Sequence, residues 1–356
     1  MLAAGVLAVG CSSSRNGGSS SGNVSGSDSG GIDIPDASAT SCSPATCAGT
    51  CQYGRCFVTL HAAQDNSYGG SDLVIGPTAV YWLEDDGSKS NILRVPAAGG
   101  AATTLASSDD YPIGLATDTA HVYWASQGQS ADGGYIARAP ASGGSPTTIA
   151  SGVPYPTALA TDGANVYWTA SACAGASCSG SVLSVPVGGG TPATLASHLG
   201  AGTWIFAAGG QLVWTTSDGR VLTVPTSGGT PTQLLYEQTV GVSIVADKQA
   251  AYWTNSAGDV MRLPLDGGKP TVLALEQSPV PGVALDETSV YWINSAYASV
   301  PGAIGGVLEV PVDGGPLTTI PNPDGGQYEG LAIDETSLYL LLGAGQSTSI
   351  VKVTPK

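Results

Sequence analysis

Three histidines, seven cysteines and 27 acidic side chains are the groups in this 356-residue chain that could do covalent, metal or acid–base chemistry. Imidazoles are the commonest metal ligands and proton shuttles, but His61, His121 and His198 lie far apart in the sequence. A shared site would need the fold to gather them. The sequence holds no G-x-S-x-G elbow, no P-loop and no C-x-x-C-H haem site. The doublet Asp109-Asp110 offers a cation too few oxygens to hold calcium alone, so a solvated loop is the plainer reading. Gly-rich runs such as Gly188–Gly190 sit in repeated turns rather than before a helix, which argues against phosphate binding. No catalytic residue, metal or cofactor is therefore assigned.

The cysteines carry a clearer pattern. Cys42, Cys47, Cys51 and Cys56 follow C-x4-C-x3-C-x4-C, and Cys173 and Cys178 form a separate pair. With Cys11 set aside, six remain. An even set in an exported chain reads as disulfides. Cys173–Cys178 is the natural local pair, and three pairings are open among the first four. Zinc is the rival for those four, and it is weaker because zinc knuckles favour C-x2-C pairs.

The elements that must position these groups come from a repeat. Val-Tyr-Trp stands at 80–82, 122–124, 166–168 and 290–292, with Leu-Val-Trp at 212–214, Ala-Tyr-Trp at 251–253 and Leu-Tyr-Leu at 338–340. Each of the first six is followed by an apolar segment ending in Pro, then a Gly-rich turn, then a Thr-rich segment, then "GLATD"-type residues before the next unit, and the seventh by the apolar segment alone. Four short segments rich in Val, Thr and Tyr, separated by Gly, Pro and Asp, are strands and turns. Four strands in about 43 residues is the signature of a β-propeller blade. Adjacent Tyr and Trp point to opposite faces of a strand, so each can pack on a different neighbouring blade.

The fullest form, "PTALATDGANVYWTA", resembles the YWTD propellers of the low-density-lipoprotein-receptor kind, and more broadly TolB-like bacterial propellers, over about 57–356. That resemblance implies an all-β propeller, with six blades in the YWTD family. The repeat itself counts seven, which is the expectation adopted, with six as the alternative. The final Asp of YWTD is missing. An Asp five residues before the Tyr stands instead at Asp118, Asp162, Asp247, Asp286 and Asp334. These are expected to bond turn amides, and the repeated Trp to be core. Arg94, Arg138 and Arg262 share one strand position and are expected in blade-surface ion pairs. The last repeat lacks an outer strand. Phe57–Ala62 resembles one, so residues 57–61 are expected to pair with 349–353 and close the ring.

One end of the ring carries short, uniform turns, and the other carries long loops that vary between blades. The long-loop face is the expected functional face. His61 falls on the closing strand, His121 on the short-turn face and His198 on the long-loop face, so they cannot share a site. The long-loop face holds about half of the acids and, of the bases, Lys89 and Arg220. Its expected ligand-binding residues are Tyr111, Tyr155, Trp204 and Tyr328 with Asp109, Asp110, Glu237 and Glu329, which would favour cationic or hydroxyl-rich ligands. Trp204 is the one Trp outside the repeated position.

The N-terminus reads as an export signal. Residues 2–9 are a short apolar run, too short to span a bilayer. "LAVGC" resembles the bacterial lipobox, which implies lipidation of Cys11. Ala8 stands where Leu is commonest, and no Lys or Arg precedes the run, which points to a start upstream of Met1. The expected organisation is a signal peptide at 1–10, a disordered Ser/Gly-rich tether at 11–41, a disulfide-rich segment at 42–56 and the propeller at 57–356. The net charge of −16 argues against nucleic-acid partners. The functional expectation is a monomeric, lipid-anchored protein of the bacterial cell envelope, held at the outer membrane and facing periplasm or surface. It would act as a binding module for a protein, peptide or carbohydrate. The alternative is a propeller enzyme, lactonase- or lyase-like, using clustered carboxylates near the central channel.

Overall fold

A computed structural model describes residues 42, 47–63, 68–85, 89–108, 110, 112–128, 133–174, 177–236, 241–275, 279–294, 306–321, 327–343 and 348–356. Its strands form seven antiparallel sheets, six of them four-stranded and each built from consecutive strands. These are the blades of an all-β, seven-bladed propeller. Blades 1 to 6 cover 68–108, 112–153, 156–199, 202–236, 241–274 and 279–321. Blade 7 takes its inner three strands from 327–354 and its outer strand, Arg55–Ala62, from the N-terminal end. The register of that closure is Phe57↔Val353, Val58↔Lys352, Thr59↔Val351, His61↔Ile350 and Ala62↔Ser349. The seventh repeat stops one strand short, and the early segment supplies it.

The Tyr-Trp pair explains why the blades form a ring. The Tyr of one blade meets the Trp of the next: Tyr81 with Trp124, Tyr123 with Trp168, Tyr167 with Trp214 and Tyr252 with Trp292. Where the repeat varies, Val213 meets Trp253 and Tyr291 meets Leu340. Tyr339 meets Trp82, which joins blade 7 to blade 1. Every inter-blade core thus has one residue from each side. A buried aromatic of about 200 Å² contributes on the order of 5 kcal/mol at ~25 cal/mol per Å².

The short-turn end is held by the repeated Asp. Asp162 Oδ1 accepts from the amides of Ala164 and Asn165 at 2.9 and 2.8 Å, and Oδ2 accepts the Tyr167 hydroxyl at 2.7 Å. Asp118, Asp247, Asp286 and Asp334 repeat this with Tyr123, Tyr252, Tyr291 and Tyr339. Blade 4 has Ala208 and Val213 at the two positions, so carboxylate and phenol are lost together. Blade 1 has Gly76, and the Tyr81 hydroxyl donates to the Ala141 carbonyl at 2.6 Å instead. Burial alone would raise the carboxyl pKa values of Asp118, Asp162, Asp286 and Asp334, but the donated hydrogen bonds outweigh it and hold them below the usual range. Burial, then Asp162, pushes the Tyr167 phenol up to about 12.

The shared arginine position differs from expectation. Arg94 donates to the Ala141 carbonyl at 3.0 Å and Arg138 to the Val187 carbonyl, each on the next blade's turn. Only Arg262 makes an ion pair, with Asp313 at 3.9 Å. The turn carbonyl is the nearer acceptor wherever the next turn lacks an acid, so these arginines clamp blades together.

At the N-terminal edge a hairpin, Thr50–Gln52 with Arg55–Ala62, extends blade 7 to five strands. Disulfides join Cys42 to Cys51 and Cys47 to Cys56, settling which of the three pairings the first four adopt. Cys173 and Cys178 face each other in the backbone register of a hairpin, and their side chains lie outside those described. Cys11 and everything assigned to residues 1–41 lie outside the described residues. No described helix is long and apolar enough to cross a membrane.

Candidate functional site

The inner strands, from Tyr68–Ile75 in blade 1 to Gln327–Ile333 in blade 7, surround a central channel. Its body is a cavity of about 450 Å³ with a ring of branched apolar residues: Leu73, Leu115, Leu159, Ile205, Ile244, Val283 and Leu331. Above it, at the long-loop end, a second cavity of about 540 Å³ opens over blades 1 to 4. Asp72 and Trp204 line both, so they stand where the two meet.

One repeat position decides the shape of this junction. Nine residues before the Tyr position, the seven blades carry Asp72, Gly114, Ala158, Trp204, Ser243, Gly282 and Gly330. Five are small. At Gly114 a side chain would meet Leu159 at 3.2 Å, and φ is +61°, which favours glycine. Blade 1 departs with a carboxylate and blade 4 with an indole. The Asp72 carboxylate reaches blade 2 and accepts from the Gly114 amide at 2.9 Å. Burial in the channel wall pushes its pKa up, only partly offset by that hydrogen bond. Trp204 is partly buried and backs onto the core between blades 4 and 5.

The upper cavity is completed by Glu84, Asp85, Gln127, Thr157 and Thr203, with Pro112 and Ile113 as apolar wall. Glu84 is buried and accepts from the Trp82 indole at 3.2 Å, so one of its oxygens has a structural task. Asp85 accepts from Ser90 at 3.2 Å. No lysine, arginine or histidine lines either cavity among the described residues.

The expected site residues fall in different places. Trp204 lines the cavity. Tyr155 is 44% exposed on the same face, with φ +35°, and is not part of the cavity wall. Tyr328 is not at the channel mouth: it is 6% exposed and packed in the core between blades 6 and 7. A register shift between Tyr328 and Gly330 sets its place in the strand, opposite Leu342. Glu329, in that shift, lies over Gly343 away from the cavity wall. Its Oε2 is buried with no hydrogen-bond partner among the described residues, and burial raises its pKa. Asp110 is engaged through its backbone with Ser108 and Ser126. Tyr111, Asp109 and Glu237 lie outside the described residues. Sequence reasoning does not single out Asp72 or Glu84. Counting back from the repeated Tyr would have found Asp72, because its repeat position is otherwise small apart from Trp204.

No family model and no curated protein matches this chain. Solved structures do. The catalytically inactive virginiamycin B lyase of Staphylococcus aureus, solved with quinupristin, matches with a TM-score of 0.59 at 12% identity, over 85% of this chain and all of that one. A puromycin hydrolase matches with a TM-score of 0.61 at 12% identity, over 80% of this chain and 52% of that longer one. A chain of the nidogen–laminin complex matches with a TM-score of 0.50 at 20% identity, over 66% of this chain and 90% of that one. Identities this low carry fold and not activity, and what these proteins share with this chain is the β-propeller fold.

Proposed function

We propose that this chain is an exported binding module whose ligand enters the long-loop end of the channel, between Asp72 on blade 1 and Trp204 on blade 4. The observation that carries this is the upper cavity of about 540 Å³, where the repeat is broken by a carboxylate and an indole. A concave site with apolar walls and a few placed polar groups is the usual form of a ligand pocket. The nidogen match comes from a complex with a protein partner, which supports a binding role for the fold. The disulfides support an oxidising, exported location. The "LAVGC" motif and its Ser/Gly tether support an anchor at Cys11, and Cys11→Ala should move the protein from the membrane to the soluble fraction.

The second reading is an enzyme, supported by the raised Asp72 carboxyl inside a cavity. The lyase match is named for a His→Ala variant that is catalytically inactive. Here His61, on the outer strand of blade 7, lies tilted against Trp82 of blade 1, His121 opens a strand beside Asp118 of the preceding turn, and His198 is on an outer strand. None reaches the cavity. A fragment screen against the purified protein tests the binding reading. Hits should weaken by about 1–3 kcal/mol with Trp204→Ala and be unaffected by Asp286→Ala at the opposite end. Hits that ignore Trp204→Ala would refute it, and a stoichiometric divalent ion in the purified protein would favour the enzyme.

A further inference from the structure

The cavity between Asp72 and Trp204 is asymmetric in a way that selects a ligand, and that selection rests on the binding reading of the site. Blades 2 and 3 contribute Gly114 and Ala158 at the position where blades 1 and 4 contribute Asp72 and Trp204. Two adjacent small residues therefore leave a gap flanked by a carboxylate on one side and an indole on the other. The wall between is apolar at Pro112, Ile113, Leu115 and Leu159, with Gln127 and Thr157 as neutral polar groups. Glu84 lies on the carboxylate side. No cationic side chain lines the gap among the described residues.

We infer that the upper cavity takes a small organic cation with a flat apolar body, its charged nitrogen toward Asp72 and Glu84 and its body toward Trp204. Asp72 spends one contact on the Gly114 amide at 2.9 Å and keeps acceptor capacity. A carboxylate in a poorly solvated wall with no basic neighbour is stabilised by an incoming cation, and repels an anion. The indole supplies flat contact area and attracts a cation that nears its face. The burial that raises the Asp72 pKa is the same desolvation that an incoming cation would offset.

The test uses three probes of one shape: benzamidinium, neutral benzamide and anionic benzoate, titrated by calorimetry or followed by ligand-observed NMR. Benzamidinium should bind about tenfold or more tightly than benzamide, the range of a charge-assisted hydrogen bond, and benzoate should not bind. Asp72→Asn keeps an acceptor for Gly114 and should bring benzamidinium down to benzamide. Glu84→Gln keeps an acceptor for Trp82 and removes the second charge, should the first variant fail to fold. Trp204→Leu should weaken benzamidinium and benzamide alike. Equal binding of benzamide and benzamidinium to the unaltered protein, or no benzamidinium binding at all, overturns the cation. If Trp204→Leu still weakens benzamide in that case, the site itself stands. Binding that ignores both Asp72→Asn and Trp204→Leu overturns site and cation together.

Discussion

The two ends of the channel are built from the same inner strands and behave as opposites. At the short-turn end the chain repeats itself: Asp118, Asp162, Asp247, Asp286 and Asp334 each bind two turn amides and one phenol. Those carboxylates are each engaged by at least three donors of their own blade in holding the turn. At the long-loop end the repeat breaks, at Asp72 and Trp204, and there the carboxylate is under-solvated and the cavity opens. Residues that recur from blade to blade answer a demand of the fold. Residues that occur in one blade answer some other demand.

This contrast makes the largest expected effects lie with repeated features and with closure. Deleting 57–61 removes the outer strand of blade 7 and its pairing with residues 350–353. At roughly 1 kcal/mol per buried hydrogen bond plus packing, the loss should be several kcal/mol. An unchanged melting temperature would refute the closure. Trp168→Ala empties the core between blades 2 and 3 and should cost about 3–5 kcal/mol. Trp204→Ala, only partly buried, should cost much less stability in the same denaturation experiment. If the two Trp variants melt alike, the division between repeated and unique residues fails.

Within the short-turn end a smaller effect is expected. Asp162→Ala removes the acceptor of three hydrogen bonds, two of them exposed to solvent and the Tyr167 one half-buried, and about 1 kcal/mol should go, the usual net worth of such a bond when water can replace the others. Blade 4 supplies the control, since it lives with Ala208 and Val213. Val213→Tyr there should not stabilise unless Ala208→Asp accompanies it. A double-mutant cycle at 208 and 213 showing no coupling would mean that the pair is not the unit it looks like in the other blades.

The sequence made the fold legible because the repeat is carried by the residues that make the inter-blade cores. Tyr and Trp at adjacent positions had to face opposite neighbours, and Tyr123 and Trp124 do. The Asp five residues before Tyr reads as a local cap, and the structure adds that it also takes the Tyr hydroxyl. The site was half legible. Trp204 stood out as the Trp outside the repeated position. Asp72 did not, because blade 1 has Gly76 in place of the turn Asp and "SDLVIG" does not resemble "GLATD". Tyr328 misled because an aromatic just before an inner strand reads as a loop residue. A register shift after it is a three-dimensional feature without a sequence signature, and the side chain lies in the core.

Acid titration gives the smallest effect and separates the two ends by sign. Asp118, Asp162, Asp286 and Asp334 have folded pKa values below the unfolded value of about 4. Their stabilisation is fully present above pH 4 and is lost as pH falls through the depressed folded values. Asp72 and Glu329 have raised values. The folded state holds their protons more tightly than the unfolded chain does. Stability therefore rises as pH falls from neutrality through those raised values, and levels off near the unfolded pKa. The melting temperature should climb slightly on mild acidification and then fall below about pH 4. Asp72→Asn with Glu329→Gln should flatten the climb and leave the fall. Asn at 162 and 334 should shrink the fall and leave the climb. A protein whose melting temperature only declines from pH 7 downward, identically in both double variants, would show that the carboxylates at the two ends of the channel are not in opposite environments.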